Sequence, residues 1–325
     1  MTIKAIQIDK QGGPEVMAFR DIELRAPKPG EITVRHTAIG INFIDTYHRS
    51  GLYPVKLPSG LGMEAAGTVE ALGEGVTGLK LGDRVAYGSG PIGAYAEANN
   101  VAAARAVKIP DGVADEAAAA MMLKGMTAQF LLRQTYVVKP GDTILWHAAA
   151  GGVGLLATQW AKHLGATVIG TVGSDEKAAI AKAHGCDHVL NYRTEDVPAR
   201  VREITGGKML PVVYDGVGKD TFVMSLDCLA PRGLLASFGN ASGPVTDVNL
   251  GILAAKGSLY VTRPTMFHYT ATDADFQMVA KDLFDVVATG HVKIEIGQRY
   301  KLADAAQAHK DLEGRKTTGA TILVP

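Results

Sequence analysis

The chain of 325 residues carries 33 basic and 33 acidic side chains, so its formal net charge is zero, and 47% of it is hydrophobic. That length exceeds one ordinary core and predicts two domains, while the balanced charge gives no electrostatic reason to expect nucleic acid or an anionic membrane as main partner. The two cysteines, Cys186 and Cys228, stand outside any C-x-x-C or His/Cys cluster, which excludes a cysteine-rich zinc site and reads as two reduced thiols.

The opening segment "MTIKAIQIDKQGG" reads as a strand and a turn, without the apolar region of a signal peptide. Up to about Val113 the chain is strand-like and punctuated by Gly and Pro, as in "ITVRHTAIGINF", "EAAGTVEALGEGV" and "DRVAYGSGPIGAYAEANNV". One short helix is expected within it, near Asn42 to Ser50, so the region is predicted to be antiparallel and barrel-like. From Val113 the pattern turns helical, with Asp115 and Glu116 opening an alanine run. That run, "VADEAAAAMMLKGMTA", is too short and too charged to span a bilayer, and a soluble cytoplasmic protein is expected.

Between Thr143 and Pro264 strands and helices alternate. The strands are "TILWHA", "TVIGTV", "DHVLNY", "PVVYDGV", "LLASFG" and "SLYVTR", and helical stretches such as Leu155–Leu164, Asp175–His184 and Thr221–Leu229 separate them. Six strands with crossover helices predict an α/β fold with a doubly wound parallel sheet. The tail from Phe276 to Pro325 reads as two amphipathic helices and a last strand, "GATILVP". With no seventh crossover partner, that strand is expected to return and complete the first domain.

At the end of the first of these strands, Gly152-Val153-Gly154-Leu155-Leu156-Ala157 matches G-x-G-x-x-G/A in the strand–turn–helix setting the motif requires. Gly152 permits the tight turn, Gly154 lets the backbone approach a pyrophosphate, and Ala157 lets helix and strand pack closely. The helix N-terminus offers free N–H groups and a positive dipole end to phosphate. A dinucleotide is the expected ligand. At the end of the second strand, "GTVGSDEKA" places Gly173 and Ser174 where an NAD binder carries an acid for the ribose. Lys177 follows one helical turn later, and Tyr192 ends the third strand beside Arg193. Room plus a nearby cation suits a 2′-phosphate, which favours NADPH over NADH. The competing assignment gives the ribose to Asp175 or Glu176, although their place just inside a helix suits the dipole better.

The segments "GGPEVM", "AIGINFIDTYHRSGLYP", "PSGLGMEAAGTV", "GDRV", "HAAAGGVGLLATQWAK", "VVYDGVG", "SFGNASGPV" and "GSLYVTRP" together carry a resemblance that runs end to end. By them the chain resembles the zinc-independent, zeta-crystallin-like quinone oxidoreductases of the medium-chain dehydrogenase/reductase superfamily. The resemblance implies a GroES-like β-barrel catalytic domain, residues 1–123 and 266–325, plus a Rossmann domain with the six-stranded parallel sheet, residues 124–265. It also implies a cleft between the domains for the nicotinamide. Asn42 and Tyr47 would face the nicotinamide end, with Lys124 and Thr127 lining the same cleft. Gly152 and Val153 would hold the pyrophosphate, and Gly173, Ser174, Lys177 and Tyr192 would surround the 2′-phosphate. Phe238, Gly239, Asn240 and Ser242 would border the cofactor, and Arg315 would reach it from the last segment.

Zinc members of that superfamily carry a cysteine in the segment that here reads "GINFID", and a histidine where Met63 precedes the glutamate of "GMEAAG". The four-cysteine lobe is also missing, which makes simple alcohol dehydrogenation a poor expectation. The implied activity is NADPH-dependent reduction of a quinone, with Tyr47 and Tyr53 as donors to the developing oxyanion or as walls of an aromatic slot. Asn42 would touch substrate or cofactor, or cap the following helix. His147, without an evident acid partner, reads as structural. Two alternatives stand beside this activity: reduction of α,β-unsaturated carbonyls, and a non-catalytic nucleotide- or RNA-binding relative. The sixth strand, Leu259–Arg263, is an apolar edge suited to pairing with its twin, so a homodimer is expected.

Overall fold

The β-branched run Glu31–Ile41 is the spine of the amino-terminal sheet. It pairs antiparallel with Glu64–Leu72, with Ala98–Ala102 and with the last strand, Ala320–Val324. Ile32, Val34, Ile39 and Ile41 are buried with Val69, Val85, Tyr87, Val101 and Leu323 in one apolar core. The strands meet so closely that a Cβ on Gly67 would fall 1.9 Å from the Arg35 carbonyl oxygen, and only glycine fits there. A smaller sheet joins Thr2–Ile8 to Ala18–Glu23 and Ser59–Gly60.

This computed structural model describes residues 1–325. The chain divides into two compact units, one made of Met1–Met126, Thr270–Thr289 and Ile294–Pro325, the other of Thr127–Tyr269 and Gly290–Lys293. In the first unit one pairing departs from the antiparallel expectation: Ile296–Lys301 runs parallel to Ala320–Val324. The helix Ala305–Glu313 lies between them in sequence and provides the crossover that a parallel pair needs.

In the second unit six strands form one all-parallel sheet: Thr143–Trp146, Thr167–Val172, His188–Asn191, Leu210–Asp215, Leu229–Ser237 and Tyr260–Thr262. Their order across the sheet is third, second, first, fourth, fifth, sixth, the doubly wound order of a Rossmann domain. Near-continuous apolar strands are what a sheet covered on both faces requires, and Leu145, Ile169, Leu190, Val213 and Leu235 are buried under Val197, Val201 and Leu226 of the helices. Both cysteines are buried here, and burial pushes each thiol up to about 12.

Candidate active site

The order of the parallel sheet reverses between its first and fourth strands, and in such sheets ligands bind beyond the carboxyl ends at that point. There the helix Gly152–His163 begins, with Gly151 as its N-cap and no side chain capping it. The next two helices of the unit are capped, by Ser174 and by Asp196. The first-turn N–H groups of Gly152 and Val153 have no intrahelical acceptor and are free to meet an anion. A Cβ on Gly154 would lie 2.5 Å from the Ala148 carbonyl oxygen and 2.7 Å from that of Ala149, so glycine alone lets the turn close. This cradle fits a pyrophosphate.

At the second strand's end, Gly173 and Tyr192 are brought together: a Cβ on the glycine would fall 2.4 Å from the Tyr192 hydroxyl. The Ser174 hydroxyl accepts the Lys177 N–H at 3.3 Å, which sets Lys177 on the first turn of the helix Asp175–Ala183. The Asp175 carboxylate accepts the Asn191 amide at 3.1 Å. Gly173, Ser174, Lys177 and Tyr192 therefore form one cluster.

The loops after the fourth and fifth strands interlock through their backbones. Phe238 N–H donates to Asp215 C=O at 2.8 Å and Ser242 N–H to Val217 C=O at 2.8 Å. A Cβ on Gly239 would lie 2.2 Å from the Gly216 oxygen. The Ser242 hydroxyl donates to the Val217 carbonyl at 2.9 Å and accepts the Asp220 N–H at 3.0 Å, so it ties the two loops. Asn240 C=O accepts the Gly243 N–H at 2.9 Å, and Phe238 packs on Trp146, ring centres 5.5 Å apart.

A buried network behind these loops was invisible in the sequence. Asp215 accepts N–H groups from Val217 and Gly218 at 2.8 and 3.1 Å and hydroxyls from Thr221 and Ser225. His147 meets Ser225 Oγ at 3.0 Å through Nε2 and Thr171 Oγ1 at 2.8 Å through Nδ1. Because Ser225 donates to the carboxylate, Nε2 carries the hydrogen and Nδ1 accepts. His147 is structural, and burial lowers its pKa. Its acid partner exists after all, one hydroxyl away.

In the first unit, the helix Phe43–Ser50 presents Phe43 and Tyr47 on one face, four residues apart, and ends at Gly51 in the left-handed conformation, φ 91°. Tyr47 is buried and meets Tyr53 edge to face at 5.2 Å. Asn42 is the N-cap of this helix. Its main-chain N–H donates to the Asp45 carboxylate at 2.8 Å, an N-terminal cap, while its side-chain amide donates to Glu64 Oε2 at 2.6 Å. The Lys124 ammonium reaches the same oxygen at 3.1 Å, and Leu123 N–H fills the other at 2.8 Å. Glu64 has no exposed surface. This carboxylate holds Asn42 and Lys124, two of the residues predicted from sequence, yet the sequence singled out only its neighbour Met63. With an amide, an ammonium and the Met63 thioether in place, the donor set does not fit a zinc ion.

A second chain of polar groups lies behind that helix. Tyr95 donates to Asp45 Oδ2 at 2.9 Å and meets His309 Nε2 at 3.0 Å. Arg49 donates to His309 Nδ1 at 3.0 Å and grips Glu313 bidentately at 3.0 and 2.7 Å. Burial beside the Arg49 guanidinium drives His309 down to about 3, and burial raises Tyr95 well above an ordinary phenol. Thr127 is the first residue of the second unit, three positions after Lys124. Arg315 lies exposed just past the helix Ala305–Glu313, at φ 58°.

A sheet of this order with such a turn at its switch point marks a dinucleotide-binding protein. Residues 152–284 match the family model of zinc-binding dehydrogenases, and residues 28–111 that of the alcohol dehydrogenase GroES-like domain. The chain is 59% identical to a quinone oxidoreductase of Pseudomonas aeruginosa over 99% of either chain. It is 52% identical to the Escherichia coli quinone oxidoreductase whose crystal structure contains NADPH, with a TM-score of 0.97 over 99% of this chain and 100% of that one. A 2-haloacrylate reductase of Burkholderia sp. is 46% identical over 99% of both chains. The chain belongs to the quinone oxidoreductases of the medium-chain dehydrogenase/reductase superfamily.

Proposed function

We propose that this chain is an NADPH-dependent quinone reductase that works without zinc. Its full-length likeness to quinone oxidoreductases, one of them solved with NADPH, carries this reading. Gly152 and Val153 receive the pyrophosphate on their N–H groups, and Gly173, Ser174, Lys177 and Tyr192 enclose the 2′-phosphate. Phe238, Gly239, Asn240 and Ser242 border the cofactor, while Asn42, Tyr47, Lys124, Thr127 and Arg315 attend its nicotinamide end. When bound, NADPH supplies the reducing equivalents. A quinone needs little polarisation to accept them, so positioning supplies most of the acceleration. The phenols of Tyr47 and Tyr53 donate hydrogen bonds to the oxyanion of the acceptor as charge develops.

The cofactor cluster sets one expected result. Lys177→Ala removes a charge-assisted contact worth about 1.5–3 kcal/mol. The preference for NADPH over NADH in kcat/KM therefore drops roughly 10-fold to 100-fold by the standard conversion. An unchanged ratio would remove Lys177 from the cofactor set. The likeness to the 2-haloacrylate reductase supports a second reading, reduction of α,β-unsaturated carbonyls. Comparing NADPH oxidation with 1,4-benzoquinone and with an alkenal decides between them: faster turnover of the quinone supports the first, turnover of the alkenal alone the second.

The proposed protein is a cytoplasmic homodimer. No helix is long and apolar enough to cross a membrane, and both thiols are unpaired. The strand Tyr260–Thr262 stands at the sheet edge with Tyr260 62% and Val261 39% exposed. A lysine at an edge blocks pairing. Val261→Lys is expected to halve the mass seen by light scattering, and a wild-type monomer would contradict the assignment.

A further inference from the structure

Counting charges around the helix Phe43–Ser50 leaves one carboxyl without a cation. Arg49 is held by Glu313, bidentately, and Lys124 by Glu64. Asp45 has no exposed surface, accepts only the Asn42 N–H and the Tyr95 hydroxyl, both on Oδ2, and leaves Oδ1 buried with no partner. Glu64 faces it from the strand Glu64–Leu72 and Lys124 from the helix Asp115–Phe130. Tyr95 touches it directly, with His309 behind from the helix Ala305–Glu313. Arg49 and His48 belong to its own helix, and burial lowers the pKa of His48. Tyr95 and the two histidines are neutral, so no further cation is available. A buried carboxyl with no counter-charge takes up a proton.

We propose that Asp45 is a positioning residue that carries a proton in the working protein, and that its ionisation disturbs the hold of Glu64 on Asn42 and Lys124. With Asp45 protonated, Glu64 and Lys124 form a neutral pair and the Asn42 amide is directed by Glu64 alone. Loss of the proton puts a second negative charge beside Glu64, with one ammonium to serve both. The form with Asp45 protonated is the productive one. Burial is the largest influence on this carboxyl and pushes it up to about 7; Asn42, Tyr95 and Lys124 act in the opposite direction. The proposal rests on the assignment of Asn42 and Lys124 to the nicotinamide end.

The sign for stability follows from linkage. The folded chain holds this proton more tightly than the unfolded chain, so the contribution of Asp45 is fully present below the ordinary carboxylate pKa. It falls as pH rises through the interval up to about 7. Asp45→Asn cannot titrate. Across that interval its unfolding midpoint is expected to gain on that of the wild type as pH rises, and the infrared band of a protonated carboxyl is expected in wild type and lost in the variant. The pH profile of kcat/KM should fall through an inflection near neutrality in wild type and be flat there in Asp45→Asn. Tyr95→Phe, which removes a donor to the carboxylate, should move that inflection upward, and serves if Asp45→Asn does not fold. A midpoint difference independent of pH, with no protonated-carboxyl band, would overturn the proposal. The band and the midpoints are read without turnover. If both behave as stated while the kinetic profiles coincide, the proton is real and the assignment of the nicotinamide end has failed.

Discussion

Glu64→Ala is expected to lose about 3–5 kcal/mol of stability, the cost of leaving a buried charge without its partner. The alanine would strand the Lys124 ammonium, 4% exposed, together with the Asn42 amide and the Leu123 N–H. Repacking cannot refill the space from the neighbouring strand, because a Cβ on Gly40 would meet Ala119 O at 2.3 Å even after Glu64 is gone. Against a typical total of about 5–15 kcal/mol, the loss brings the chain near the edge of folding. Urea unfolding measures it. Removing the stranded charge as well, in Glu64→Ala with Lys124→Met, should recover part of the loss. A single variant within about 0.5 kcal/mol of wild type, the usual size of a surface change, would mean that Glu64 is not what holds these residues.

Gly154→Val should spare most of the fold and remove most of the NADPH binding. The new side chain collides with the Ala148 and Ala149 carbonyl oxygens, which are backbone and cannot swing away. The first turn of the helix Gly152–His163 must shift, at an overpacking cost of about 1–3 kcal/mol. Its N–H groups shift with it, and a displacement of roughly 1 Å can cost on the order of a hundredfold in function. Fluorescence titration with NADPH, run beside thermal unfolding, separates the two effects. Unchanged affinity would show that the pyrophosphate does not sit on this turn.

Local pattern carried much of this molecule. The alternation of apolar strands with helices led to the parallel sheet, because a sheet buried on both faces needs uninterrupted apolar strands. The glycines at 152 and 154 were legible because backbone close approach demands glycine at fixed spacing. The strand Ile296–Lys301 was not, since its burial alternates but its residues "IGQRYK" put a polar glutamine among the inward positions and leave little apolar alternation to read. Within the site, Asn42, Tyr47 and Lys124 were reached through the family resemblance, whereas Glu64, a single acid at the head of the apolar segment "EAAGTV", gave no local signal of its role. The Asp45 network was out of reach for a plainer reason. Its hydrogen bonds join Tyr95 to His309 across 214 residues and Arg49 to Glu313 across 264. No local window contains both partners. The same holds for His147, whose route to Asp215 runs through Ser225, 78 residues away.

The most direct test of quinone reduction is a single turnover. The purified chain, loaded with less than one equivalent of NADPH, is mixed rapidly with 1,4-benzoquinone while the reduced-nicotinamide absorbance is followed. Loss of that absorbance far faster than in a protein-free mixture, and far faster than with NADH, is the expected result. An absorbance that decays no faster than in the protein-free mixture, although NADPH is bound, would contradict it.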